Sequence, residues 1–216
     1  MQPQVVRTIA LTALAIVAAN ARGSIVYQDV PNIHFQTGSV QELSGSFDAQ
    51  LDLNGDGVDD VRLELGWDRR SQAFWTDAAP LGGGGLVYRG SSNVNGSDNL
   101  VSGFSIGEQL LQPPEYPAVS RQWSTIGSDL SRSVEGSHNG WWGGAAHLGV
   151  RIAVADGTRY GWVSMSASSN TLDIYSFAYE TEVNTPIGAG AVPAPGAGLM
   201  AAGSLIGVGL RRARRP

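Results

Sequence analysis

Between residues 52 and 60 the chain reads DLNGDGVDD. Oxygen-bearing side chains fall at loop positions 1, 3, 5 and 9, as Asp52, Asn54, Asp56 and Asp60. Gly57 at position 6 permits a sharp turn, and Val58 at position 7 can offer its carbonyl. Hard Ca²⁺ takes about six to eight oxygen ligands, and carboxylates this close together repel unless a cation lies among them. As chemistry, the stretch is a calcium loop. The plainer reading is an Asn-Gly/Asp-Gly turn between two strands.

Other residues that could do chemistry are less well placed. GFSIG at 103–107 matches G-x-S-x-G in letters, but the following EQLLQPPEYP allows barely a turn of helix before two prolines, so Ser105 lacks the strand–turn–helix that exposes a nucleophile. His34, His138 and His147 have no H-x-H or H-E-x-x-H spacing and read as surface or hydrogen-bonded residues. LGGGG at 81–85 lacks the lysine of a phosphate loop. Glu115 and Asp129 are acids without a spacing that fixes glycosidase geometry. Six tryptophans, Trp67, Trp75, Trp123, Trp141, Trp142 and Trp162, are many for this length, and indole rings stack on sugar faces. GSHNGWWGG at 136–144 makes Trp141 and Trp142 the candidate glycan contact, although core packing is the commoner fate of Trp.

The elements that must position these residues are strands. Phe47, Ala49, Leu51 and Leu53 alternate with polar residues, as do Val61, Leu63 and Leu65, and later Leu148, Val150, Ile152 and Val154. TLDIYSFAYE is rich in β-branched and aromatic residues, and NGDG, GGGG, QPPEYP and ADG punctuate the runs. About ten short strands at this spacing predict an all-β fold, a jelly-roll-like β-sandwich over residues 23–185, with a Gly/Ala/Pro linker at 186–191. About 165 residues can bury about 70% of their unfolded surface without covalent help. They must, because the chain has no cysteine. The 52–60 loop, flanked by strands, resembles the D-x-[DN]-x-D-G-x-x-D loops of integrin-type β-hairpins. Leu63 stands at position 12, where an EF-hand carries its bidentate Glu.

Charge narrows the partners. Residues 22–190 hold nine Arg against all 19 acids, a net charge of −10. Such a body disfavours nucleic acid and anionic lipid surfaces and suits calcium.

The two ends read as addresses. Residues 1–21 combine Arg7, an 11-residue apolar stretch from Ile9 to Ala19 and an Ala19-Asn20-Ala21 cleavage pattern, which predicts a signal helix removed by signal peptidase. At the other end, Val192-Pro193-Ala194-Pro195-Gly196 precedes a 14-residue apolar run, Ala197–Leu210, and then Arg211, Arg212, Arg214 and Arg215. Arginines after an apolar segment resist translocation and stay cytoplasmic. This order resembles the PEP-CTERM sorting signal of exported bacterial proteins, with Ala194 where that motif usually carries Glu. The stretch HLGVRIAVADGTRYGWVSMSASSNTLDIYSFAYETEVNTPIGAG is similar to a body type recurrent among PEP-CTERM proteins.

The resemblance implies a transmembrane-like sorting helix over residues 192–216 and a membrane exosortase that cuts near the proline motif. It also implies transient residence in the inner membrane and a final place in the cell envelope or extracellular matrix beside exopolysaccharide. The expectation is a non-enzymatic structural or adhesive protein that binds Ca²⁺. The alternatives are a carbohydrate-binding module for extracellular polysaccharide and, behind it, a secreted hydrolase.

Overall fold

A computed structural model describes residues 16–17, 24–36, 45–68, 73–91, 94–97, 100–110, 121–124, 128–134, 137–140, 145–168 and 170–193. These form strands throughout, with no helix among the described residues. In chain order they are β1 (Ile16–Val17), β2 (Ile25–Gln36), β3 (Gly45–Leu51), β4 (Val61–Asp68), β5 (Ala73–Pro80), β6 (Gly85–Ser91), β7 (Val94–Ser97), β8 (Ser105–Ile106), β9 (Arg121–Ser124), β10 (Ser128–Val134), β11 (Ser137–Gly140), β12 (Ala146–Val154), β13 (Gly157–Ala167), β14 (Thr171–Glu180) and β15 (Ile187–Gly188). The main sheet runs β1-β2-β14-β13-β12-β6-β7-β10-β5-β4-β3, with β11 on β10 and β9 on β6. Pairing is antiparallel except where Asp129 of β10 meets Gly96 of β7 in parallel. Ile16 and Val17 lie extended beside Tyr27 and Val26 of β2, and the rest of the expected signal helix lies outside the described residues. Two β-branched side chains in sequence favour that conformation.

Period-2 alternation does the folding. On β3, β4 and β5 the residues Ala49, Leu51, Val61, Leu63, Leu65 and Ala78 are buried, and they share one core with Val26, Ile33, Leu86, Leu148, Val150, Met165, Ile174 and Phe177. Strands from opposite ends of the main sheet therefore bury the same apolar residues. At β14 the alternation breaks. Against β13 the register skips Tyr175, the extra residue, which is 44% exposed, whereas against β2 the excess lies on β2, where residues 30–32 stand opposite Tyr175. Such a bulge re-aims a side chain without ending the strand.

β13 and β14 are buried on both faces. Behind them a second core gathers Val87, Leu100, Phe104, Ile106, Tyr160, Trp162, Ala178, Ile187 and Ala189. Its cover is a strap. β15 pairs with β8 in a separate two-stranded sheet, and Ala189 exchanges backbone hydrogen bonds with Gly103 (2.9 Å) and Phe104 (2.8 Å). Residues 186–191, expected as a linker, are thus part of the body. Their small side chains are what let the strap approach: Gly190 has φ +75, and a Cβ there would lie 3.1 Å from the His147 ring. Ending the chain after Thr185 instead of Pro193 should lower stability by about 2–4 kcal/mol, the transfer value of burying Ile187 and Ala189 plus part of what they cover. Equal denaturant midpoints for the two forms would show that the strap adds nothing.

Candidate functional site

The 52–60 loop joins β3 to β4, and a 2.8 Å bond from Asp60 N to the Leu51 carbonyl closes its neck. Within it, side chains take the place of secondary structure. Asp52 Oδ1 accepts from Gly55 N (2.8 Å) and Asp56 N (3.3 Å), and its Oδ2 accepts from Gly57 N (2.8 Å). Asn54 Oδ1 accepts from Asp56 N at 2.9 Å, and Asp56 Oδ1 from Val58 N at 2.8 Å. Asn54 Nδ2 donates to Asp56 Oδ2 at 3.0 Å. Gly55 and Gly57 sit at φ 77 and φ 86, in the left-handed region that costs other residues about 1 kcal/mol or more. Open space surrounds both, so the requirement is backbone freedom rather than room.

Leu53 plugs the loop into the core at 3% exposure, and Asp60 is 6% exposed with its Oδ2 accepting from Leu53 N at 2.9 Å. Burial pushes the Asp60 carboxyl up to about 6, with the charges of Asp56 and Asp52 adding to the push and the Leu53 N–H opposing it. The structure therefore joins Asp52, Asn54 and Asp56 in one network and holds Asp60 on its buried side. Val58 projects at 54% exposure. Among the described residues, no three His, Asp or Glu side chains converge into a closed metal cage. The donors present are nonetheless all oxygens, the chemistry hard Ca²⁺ selects.

Two supports were not legible in the sequence. Leu81 N donates to the Asp60 carbonyl at 2.7 Å, and a Cβ on Gly82 would meet Val58 Cγ1 and the Asp59 carbonyl at 3.5 Å. The glycine run 82–85 is thus a buttress for the acidic loop, and its tightness is obligatory: a Cβ on Gly84 would lie 2.4 Å from the Arg151 carbonyl. From β14, Tyr179 reaches the Asn54 carbonyl at 3.5 Å. These contacts span 21 to 125 residues of sequence, and only the fold brings them together.

The remaining candidates separate. Ser105 lies in the two-residue strand β8, facing Gly188 across the strap, with bends rather than a helix after it. His34 is exposed and hydrogen-bonded to Asp173, whose bond and charge raise its pKa. His138 is on β11. Trp123 is stacked on Tyr160, donates to the Gly107 carbonyl at 3.1 Å and carries the Arg151 guanidinium 5.3 Å above its ring, so it is a packed residue. Trp67 lies over Gly45 beside Phe47. Glu115, Trp141, Trp142, Ala194, Pro195, Gly196 and Arg211, Arg212, Arg214 and Arg215 lie outside the described residues, whereas Val192 and Pro193 are described, Val192 at 50% exposure.

His147 packs edge-on against Trp162 with ring centroids 5.0 Å apart, and its Nδ1 is buried without a hydrogen-bond partner among the described residues. Burial lowers its pKa, against a weaker opposing contribution from the Leu100 backbone. The folded state therefore resists a proton that the unfolded chain takes up near about pH 6.5. The contribution to stability is complete above that pH and is lost as pH falls below it. Between pH 7 and pH 5 the wild type should lose more melting temperature than His147→Gln. Parallel losses would show that His147 does not carry the effect. No protein family, curated protein or solved structure was found to match the chain.

Proposed function

We propose that this chain is an exported, non-enzymatic protein of the bacterial cell envelope or extracellular matrix. Its body is a jelly-roll-like β-sandwich stiffened by one Ca²⁺ and sorted by an exosortase through its C-terminal tail. The observation that carries the calcium reading is the loop network, in which Asp52, Asn54 and Asp56 are already oriented by the backbone of Gly55, Asp56, Gly57 and Val58. Asp52, Asn54, Asp56, Asp60 and the Val58 carbonyl would hold the ion. Asp52 Oδ2 and both Asp56 carboxylate oxygens each accept a single hydrogen bond and keep a second lone pair for the ion. The ion would replace repulsion within the loop by coordination and fix the β3–β4 register. The sorting reading rests on the order of VPAPG, apolar run and terminal arginines, supported by a body that stays docked through Ala189 and leaves Val192 exposed.

Extracellular calcium sites commonly bind at about 10⁻⁴–10⁻³ M, so about 1 mM calcium should add about 0.5–1.5 kcal/mol to folding. Thermal unfolding with EDTA and with calcium tests this, with Asp56→Ala as the control that loses the response. Melting temperatures that ignore calcium in the wild type, with no heat of binding, would remove the site. For the tail, mass spectrometry of the protein recovered from its host should find no peptide containing Arg211–Pro216. Intact tails on most molecules would replace sorting by a simple anchor.

A further inference from the structure

We infer that Asn54–Gly55, in the exposed part of the 52–60 loop, is a site of spontaneous deamidation, and that the Asp52 carboxylate governs its rate by holding the Gly55 N–H. The chemistry goes beyond the calcium role proposed above and needs no ion in the loop.

Asn-Gly occurs three times in the chain, at 54–55, 95–96 and 139–140. Asparagine amides are thermolabile. A following glycine has no Cβ, so its backbone nitrogen can approach the side-chain carbonyl carbon. The fold separates the three pairs. Asn95 and Gly96 lie on β7 opposite Gly90 and Arg89, and Asn139 and Gly140 lie on β11 opposite Arg132 and Ser131. Paired strands hold that backbone extended. Gly55 belongs to no strand: it is exposed, at φ 77, and a Cβ there would meet nothing within 4 Å. Of the three pairs, Asn54–Gly55 has the freedom that ring closure needs.

The reaction uses only groups of the loop and water. The Gly55 nitrogen gives its proton to solvent and bonds to Asn54 Cγ. The Cγ–Nδ2 bond breaks, and Nδ2 takes up a proton and leaves as ammonia. Water then opens the succinimide. Addition at Cγ gives aspartate, whereas addition at the main-chain carbonyl gives isoaspartate, in which the chain runs through the side chain.

Two restraints slow this step. Asp52 Oδ1 accepts from Gly55 N at 2.8 Å, so the nucleophile is tied to a carboxylate whose charge also opposes loss of its proton. The target amide is clamped on the other side, with Oδ1 accepting from Asp56 N at 2.9 Å and Nδ2 donating to Asp56 Oδ2 at 3.0 Å. Opening this exposed part of the loop frees nucleophile and target together, while Leu53 and Asp60 keep the loop's base in the core. The products cannot rebuild the clamp. Aspartate lacks the Nδ2 donor and sets a carboxylate against Asp56. Isoaspartate lengthens the backbone before Gly55, so the Gly55, Asp56 and Gly57 N–H groups no longer converge on Asp52. The carbonyl that Tyr179 reaches becomes a free carboxylate.

The test is ageing of the full-length protein in EDTA at mildly alkaline pH, followed by peptide mapping for amide-to-acid conversion and by isoaspartate detection. Asn54 should convert before Asn95 and Asn139, and faster as pH rises. It should convert about tenfold or more slowly than in the free peptide DLNGDGVDD. Asp52→Ala should convert about tenfold or more faster than wild type, the worth of a hydrogen bond to a charged group. Should alanine unfold the loop, Asp52→Asn keeps an acceptor of the same shape without the charge and should convert at a rate between the two. Conversion of Asn54 no faster than at the other two pairs, a wild-type rate equal to that of the peptide, or unchanged rates in both Asp52 variants would each overturn the assignment. A protein that melts higher in calcium yet keeps Asn54 intact in EDTA would keep the calcium reading and lose this one. Conversion at Asn54 without any calcium response would do the reverse.

Discussion

Replacing Leu63 with alanine is expected to destabilise the protein by about 3–5 kcal/mol. Leu63 is fully buried and lies directly between Ala49 of β3 and Ala78 of β5 on the inner face. With alanines on either side, no larger cross-strand side chain can swing in to fill the space, so the cavity persists. Leu65 makes the comparison, because its cross-strand neighbours are Phe47 and Thr76 and the phenyl ring can give. Leu65→Ala should cost less than Leu63→Ala. The core these residues join also holds Met165, Ile174 and Phe177 from the opposite end of the sheet, so the loss should appear as one cooperative transition with an unchanged denaturant slope. A loss below about 1 kcal/mol would mean that the site collapses around the smaller residue or that the two ends of the sheet do not share this core.

The same residues show how much of the fold the sequence carried. The runs 47–53, 61–65 and 148–154 alternate cleanly because each has one wet face, and period 2 is visible without knowing the partner strand. β13 and β14 are covered on both sides, so YGWV and FAY lose the alternation, and the Tyr175 bulge blurs it further. The strap is hidden in the sequence for a different reason. Its Gly, Ala and Pro look like a spacer, whereas here they are what fits between Phe104, Ile106 and His147.

The acidic loop was legible because its donors lie within nine consecutive residues. Its supports were not, because Leu81, Gly82 and Tyr179 are ordinary residues until the fold sets them against it. The tryptophans divide on the same ground. Composition cannot tell a sugar platform from a core residue, since the difference lies in which neighbour is glycine and which face is covered.

Trp162 supplies the sharpest test of that division. Trp162→Ala should cost about 3–5 kcal/mol, because the ring is 2% exposed, lies edge-on to His147 and contacts Tyr27 with centroids 6.0 Å apart. The indole nevertheless pays for one defect: its Nε1 is buried and has no hydrogen-bond partner among the described residues. Leaving such a donor unsatisfied costs about 1–3 kcal/mol, comparable to the apolar area that a phenyl ring would give up at the same place. Trp162→Phe should therefore stay within about 1 kcal/mol of wild type, an outcome a well-bonded buried Trp would not allow. Urea titrations of the two variants decide it. If Trp162→Phe loses as much as Trp162→Ala, the N–H is bonded in solution and the orphaned donor is not a feature of the folded protein. If Phe is tolerated and Ala is not, the position demands volume and flatness alone, as expected of a residue that packs behind β13 and not of one that binds a sugar.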